Sequence, residues 1–179
     1  KAGQRPDYAV TVYTKILKQI YPDVPVIIGG IEASLRRFTH YDYWQDSLKP
    51  SVLADSGADW LCYGMGERTM IEFTRAVEAG RNLNDIRKIP QLGFYMDGRC
   101  RVKDAVILNS YERCCKDKIA FAENFHVIET YANMMAPPVL IEPVGDGYVQ
   151  VNPTWPPATQ EALDSYWDPP FTKLPHPRY

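Results

Sequence analysis

Apolar residues at 9, 12, 13, 16, 17 and 20 recur three and four apart. That spacing predicts a helix over 8–20 with one buried face, capped at its start by Asp7. Residues 24–28 form a short apolar run, too short for a helix. With Pro25 near its start, the run reads as a buried parallel strand stopped by Gly29-Gly30. The next stretch, 31–46, is polar and aromatic, and 47–55 predicts a short helix. A second strand is predicted over 58–63 and ends at Gly64-Met65-Gly66. An amphipathic helix over 67–79 follows, with Gly80 as its stop. The order helix, strand, helix, strand, helix predicts an α/β domain with a parallel sheet.

The pattern then changes. Residues 91–96 and 101–103 flank Asp97-Gly98, and 139–142 and 148–151 flank Gly145-Asp146-Gly147, so two hairpins are predicted. Between them Ser110 is placed to cap one long helix from Tyr111 to about Met135, with Phe121, Phe125, Ile128, Ala132 and Met135 on one stripe and Pro137-Pro138 as its end. A further helix is predicted over 159–166. Ten of the 15 prolines fall from Pro137 onward. The expected organisation is an incomplete Rossmann-like α/β unit over 1–108, a long helix and hairpin over 109–152, and a proline-rich connector over 153–179.

Composition narrows the class. The 179 residues are 45% apolar and 23% charged, the balance of a folded globular chain. With 20 Lys+Arg against 22 Asp+Glu, the net charge of −2 lacks the basic footprint of a nucleic-acid binder. No apolar run approaches the roughly 18 residues of a membrane span. The start, Lys1-Ala2-Gly3-Gln4-Arg5-Pro6, has neither Met nor a signal-peptide core, and the expectation is a piece of a longer protein. Cys62, Cys100, Cys114 and Cys115 show no Cys-x-x-Cys spacing. They read as reduced, mostly buried thiols of a cytoplasmic protein.

Chemistry in a parallel sheet collects beyond the carboxyl ends of the strands. Two loops leave such ends here, Gly29-Gly30-Ile31-Glu32-Ala33-Ser34 and Gly64-Met65-Gly66-Glu67-Arg68-Thr69. Glycines let backbone approach a ligand or a neighbouring domain, and Ser34 and Thr69 offer hydroxyls. The same residues equally suit plain tight turns, with Glu67 complementing a helix dipole. A dinucleotide site does not fit, because Thr69 stands where a third glycine belongs and Glu67 would repel a pyrophosphate. Arg36, Arg37 and His40 are candidates for anion binding or proton transfer, or are solvated and paired charges. Spacing assigns no nucleophile–base pair and no metal set.

The two glycine loops, with Gly57-Ala58-Asp59-Trp60 between them, resemble the cobalamin-binding-type domain found ahead of many radical SAM cores. More narrowly, Arg5-Pro6-Asp7-Tyr8, Ile31-Glu32-Ala33-Ser34-Leu35-Arg36-Arg37, His40-Tyr41-Asp42-Tyr43-Trp44 and Leu174-Pro175-His176-Pro177-Arg178-Tyr179 resemble the YgiQ-type radical SAM proteins, bacterial proteins of unassigned substrate. The resemblance covers essentially the whole chain. It implies the region preceding a radical SAM barrel. In the family a Cys-x-x-x-Cys-x-x-Cys motif carries the 4Fe-4S cluster that binds S-adenosylmethionine and cleaves it reductively to a 5′-deoxyadenosyl radical. That motif is absent, and none of the four cysteines matches it, so no cluster or catalytic residue is expected within 1–179. The Asp-x-His-x-x-Gly loop of base-off cobalamin domains is also missing, and cobalamin is not expected.

The implied role is non-catalytic: a cap or substrate-side wall on the radical SAM core of the same chain. Its contact candidates are Gly29, Gly30, Glu32, Ser34, Arg36, Arg37, His40, Gly64, Gly66, Glu67 and Thr69. The competing role is an interaction module that holds a partner protein or RNA on that core. The net charge argues against RNA, although a local patch at Arg36-Arg37 would escape that average.

Overall fold

The computed structural model describes residues 3, 5–175 and 177–178. His176 and Tyr179 of the terminal motif lie outside the described residues. The chain builds α1 (Ala9–Ile20), β1 (Ile27–Ile28), α2 (Gly30–Leu35), β2 (His40–Asp42), β3 (Ser47–Lys49), α3 (Val52–Ser56), β4 (Trp60–Cys62) and α4 (Glu67–Glu78). It continues with α5 (Leu83–Ile86), β5 (Leu92–Asp97), β6 (Val106–Ile107), α6 (Tyr111–Lys116), α7 (Lys118–Ala132), β7 (Leu140–Val144), β8 (Gly147–Val151) and α8 (Gln160–Trp167).

Six strands form one sheet in the order β1-β4-β5-β8-β7-β6, and β2 with β3 forms a separate hairpin. The class is α/β, as expected, but the sheet is mixed rather than parallel. Only β1–β4 and β6–β7 run parallel; β5 and β8 pair antiparallel with each neighbour. Strands on both sides of residue 108 share this sheet. Strand alternation divides the core in two. Leu61, Val149, Val151, Leu140 and Val144 pack under α1, α3 and α7 with Leu53 and Phe38. On the other face Trp60, Leu92 and Phe94 pack with Ala76, Phe73 and Ile86 from α4 and α5. Among the described residues no helix is long and apolar enough to cross a membrane.

Several expected elements are corrected. Asp97-Gly98 does not close a hairpin onto 101–103. β5 instead pairs along its length with β8, and the Gly98 N–H donates to the Asp146 carbonyl beside the β7–β8 turn. The apolar β8 offers more burial than the charged Arg101 and Lys103 could. The long helix breaks at Asp117, whose backbone is extended (φ −135°, ψ 106°) and whose carboxylate caps α7 by accepting the Ile119 N–H at 2.9 Å. Its inward face runs through Ala120, Asn124, Val127, Ile128 and Tyr131, so Phe125 and Met135 of the expected stripe are exposed. Residues 47–55 split into β3 and α3, because Ser51 caps a new helix through the Leu53 N–H. Asp7 does not cap α1, which has no side-chain cap at its start. The second hairpin, the 67–79 helix and the last helix stand close to their expected places.

Candidate functional site

Parallel pairing of Ile27 with Trp60 and Ile28 with Leu61 sets the two glycine loops side by side at the carboxyl ends of β1 and β4. Gly29-Gly30 turns directly into α2, and Tyr63 to Gly66 leads into α4. The loops are bonded to each other: the Gly64 N–H donates to Ser34 Oγ at 3.2 Å. They are also close-packed. A Cβ at Gly29 would meet the Cys62 carbonyl at 3.2 Å, and one at Gly66 would meet Cys62 Sγ at 2.9 Å. Glycine is therefore needed here to let two backbones approach over Cys62. Three large apolar side chains on or beside these loops stand in solvent: Ile31 at 80%, Leu35 at 73% and Met65 at 62% exposure. Glu67 is exposed in the first turn of α4, where it complements the helix dipole.

Thr69 belongs to the interior. It is fully buried, donates to the Pro90 carbonyl at 3.1 Å and accepts from Trp155 Nε1 at 2.9 Å. Arg68 lies over the Trp155 ring, 3.8 Å from its centroid. This pair ties the proline-rich stretch to α4 rather than facing a ligand. Thr69→Val would leave a carbonyl and an indole N–H unpaired. We expect a loss of about 1–3 kcal/mol in urea unfolding, accompanied by a change in tryptophan fluorescence.

The charged candidates divide. Glu32 and Arg36 pair across one turn of α2 at 3.0 Å. Arg37 turns the other way, donating to the Ser34 carbonyl at 2.6 Å, with its guanidinium 5.2 Å from the centre of the Tyr63 ring. Burial lowers its pKa. His40 bonds the Phe38 carbonyl through Nδ1 at 3.2 Å, and burial lowers its pKa too, which keeps it neutral at pH 7. Arg36 and His40 join Tyr8, Lys49 and Asp55 around a small cleft away from the glycine loops. There the Tyr8 hydroxyl donates to Asp42, and Asp42 accepts the Trp44 N–H at 3.2 Å. The Tyr8 bond holds the Asp42 carboxyl below its ordinary range. Three sequence motifs, around Tyr8, Arg36 and Asp42, thus meet in one cluster.

Sequence reasoning missed Glu142. It is fully buried in β7, and both carboxylate oxygens accept the Thr39 N–H, at 3.1 and 2.8 Å. Burial pushes its pKa up to about 7 against the pull of the Thr39 bonds. The available signal was its phase: Leu140, Glu142 and Val144 share the strand face that enters the core.

Among the described residues no three His, Cys, Asp or Glu side chains gather as a metal set. Cys62 lies under Gly66, and Cys114 packs on Asn124. The residues present do not fit a three-cysteine iron–sulfur site.

A family model described as Radical SAM N-terminal matches residues 1–179. The chain belongs to the radical SAM N-terminal family. It is 46% identical over 182 residues to a UPF0313 protein of Porphyromonas gingivalis and 45% identical over 196 residues to one of Bacteroides thetaiotaomicron. A UPF0313 protein of Clostridium botulinum is 36% identical over 179 residues. All three alignments cover this whole chain but only 29%, 31% and 28% of the relatives, so the radical SAM N-terminal region spans about three tenths of their length. No solved structure matches.

Proposed function

We propose that this radical SAM N-terminal region is the non-catalytic cap of a radical SAM enzyme whose cluster and S-adenosylmethionine are held elsewhere in the protein. Its glycine-loop edge would form a wall on the substrate side of the core. The observation that carries this reading is the exposed apolar edge of Ile31, Leu35 and Met65 around two interlocked loops. An isolated soluble domain gains nothing by leaving such side chains in water together. The occupant is the remaining seven tenths of the relatives' length. The stretch 153–179 would serve as the connector. In support, α8 buries none of its residues, and Trp167, Phe171 and Leu174 are exposed. The four free cysteines favour a reducing, cytoplasmic setting.

The test is made in the intact protein. Ile31→Asp with Met65→Asp is expected to lower substrate-dependent cleavage of S-adenosylmethionine about tenfold or more, with cluster content unchanged. Normal cleavage by that variant would overturn the cap and favour an interaction module for a partner protein or RNA.

A further inference from the structure

A cavity of about 390 Å³ opens between the segment Arg37 to Tyr41 and α7. Its size lies within the ~300–1,000 Å³ of small-molecule sites, and its make-up is that of such sites: apolar walls with few polar groups. Phe38, Phe121, Phe125 and Ile128 supply much of the apolar surface, and Arg37, His40 and Glu129 are the titratable groups among a polar set that also includes Thr39 and Asn124.

Arg37 is the informative residue. Its guanidinium is half-buried and bonds the Ser34 carbonyl, and among the described residues no carboxylate forms an ion pair with it. The neighbouring Arg36 is paired with Glu32 and turned into the other cleft. A desolvated cation without a counter-charge is costly unless an anion completes it. A guanidinium has five donors, so bonding one carbonyl leaves several for a ligand. Glu129 lines the same cavity and attracts Arg37 only at longer range. Phe125, which lines the same cavity, is 60% exposed, a large aromatic side chain left in water.

We propose that this cavity binds a small molecule that joins an aromatic body to one anionic group, with Arg37 holding the anion and Phe121 and Phe125 holding the body. The site adjoins the glycine-loop edge, with which it shares Leu35, but the residues that would hold the ligand, Arg37, Phe121 and Phe125, lie outside that edge.

The test is calorimetric titration of the intact protein with 2-naphthoate, with its neutral counterpart 2-naphthylmethanol, and with acetate. The carboxylate is expected to bind about tenfold more tightly than the alcohol, and acetate to show no measurable heat. Arg37→Met should remove the preference for the carboxylate. Because Arg37 also braces its loop, two exposed positions provide the control. Glu129→Gln should tighten 2-naphthoate several-fold by removing a like charge, while leaving the alcohol unchanged. Phe125→Ala should weaken both naphthyl probes. Equal affinities for the two naphthyl probes would overturn the proposal. So would a 2-naphthoate affinity unmoved by Glu129→Gln and Phe125→Ala.

Discussion

The stability of this chain should fall as pH rises from about 5 to about 7.5, and Glu142→Gln should remove most of that fall. Glu142 is fully buried in β7, and burial lifts its pKa from 4.5 to about 7. Between those values the folded state keeps a proton that the unfolded chain has released. The unfolded state therefore binds fewer protons, and the free energy of unfolding declines with pH. Below pH 4.5 both states are protonated and the penalty vanishes. Above about 7 both are ionised and it is complete. A rise of this size corresponds to roughly 3 kcal/mol. Other groups slope the other way in part of this range: the lowered pKa of His40 makes stability rise with pH up to its unfolded value. The difference between the two proteins therefore isolates Glu142. Urea unfolding at pH 5 and pH 8 is the measurement. Glu142→Gln should gain on the parent at pH 8 and match it near pH 5. Parallel pH profiles would show that the carboxylate is not the source.

The same carboxylate has a structural consequence. Its acceptor oxygens fix the Thr39 N–H, between Arg37 and His40. The Arg37 carbonyl also accepts from Ser51, and the Arg36 carbonyl accepts the Val52 N–H. The wall of the proposed anion site is thus pinned to the sheet at Thr39 and to the start of α3 at Arg36 and Arg37. A site held this way is pre-organised, which lowers the ordering cost of binding.

What the sequence made legible follows from the range of each signal. α1, α4 and α8 and the β7–β8 hairpin were readable because periodicity and turn residues act within a few positions. The adjacency of the two glycine loops was also readable, since a strand–helix–strand pattern places its loops at one end of a sheet. The sheet order was not. β5 chooses β4 and β8 over its nearer neighbour at 101–103, and that choice depends on apolar surface many residues away. Nor could sequence show that Thr69 would be consumed by Trp155 and Pro90, or that Arg36 and Arg37, though adjacent, would serve different clefts. Partners 86 residues apart, as for Trp155 and Thr69, leave no local trace.

The β7–β8 turn gives the second large effect, and here space and conformation can be separated. Gly145 has φ +58° with open space around a Cβ, so a side chain there suffers only the left-handed backbone. Gly147 has an ordinary strand backbone, yet a Cβ on it would overlap the Met96 carbonyl and the Tyr95 ring. Met96 belongs to β5, the central partner of β8, and a backbone carbonyl cannot rotate away as a side chain can. Gly145→Ala is expected to cost about 1 kcal/mol, the usual penalty of an alanine at positive φ. Gly147→Ala is expected to cost about 3 kcal/mol or more, at or beyond the upper end of overpacking changes, because β8 must separate from β5 to admit the methyl. Urea midpoints of the two variants, read at unchanged slope, give the comparison. Equal losses would mean that turn conformation dominates and that β5 and β8 yield easily. A much larger loss at Gly147 would place a close backbone contact of the sheet directly after the turn. There the glycine serves close packing, although in sequence it reads simply as part of a turn.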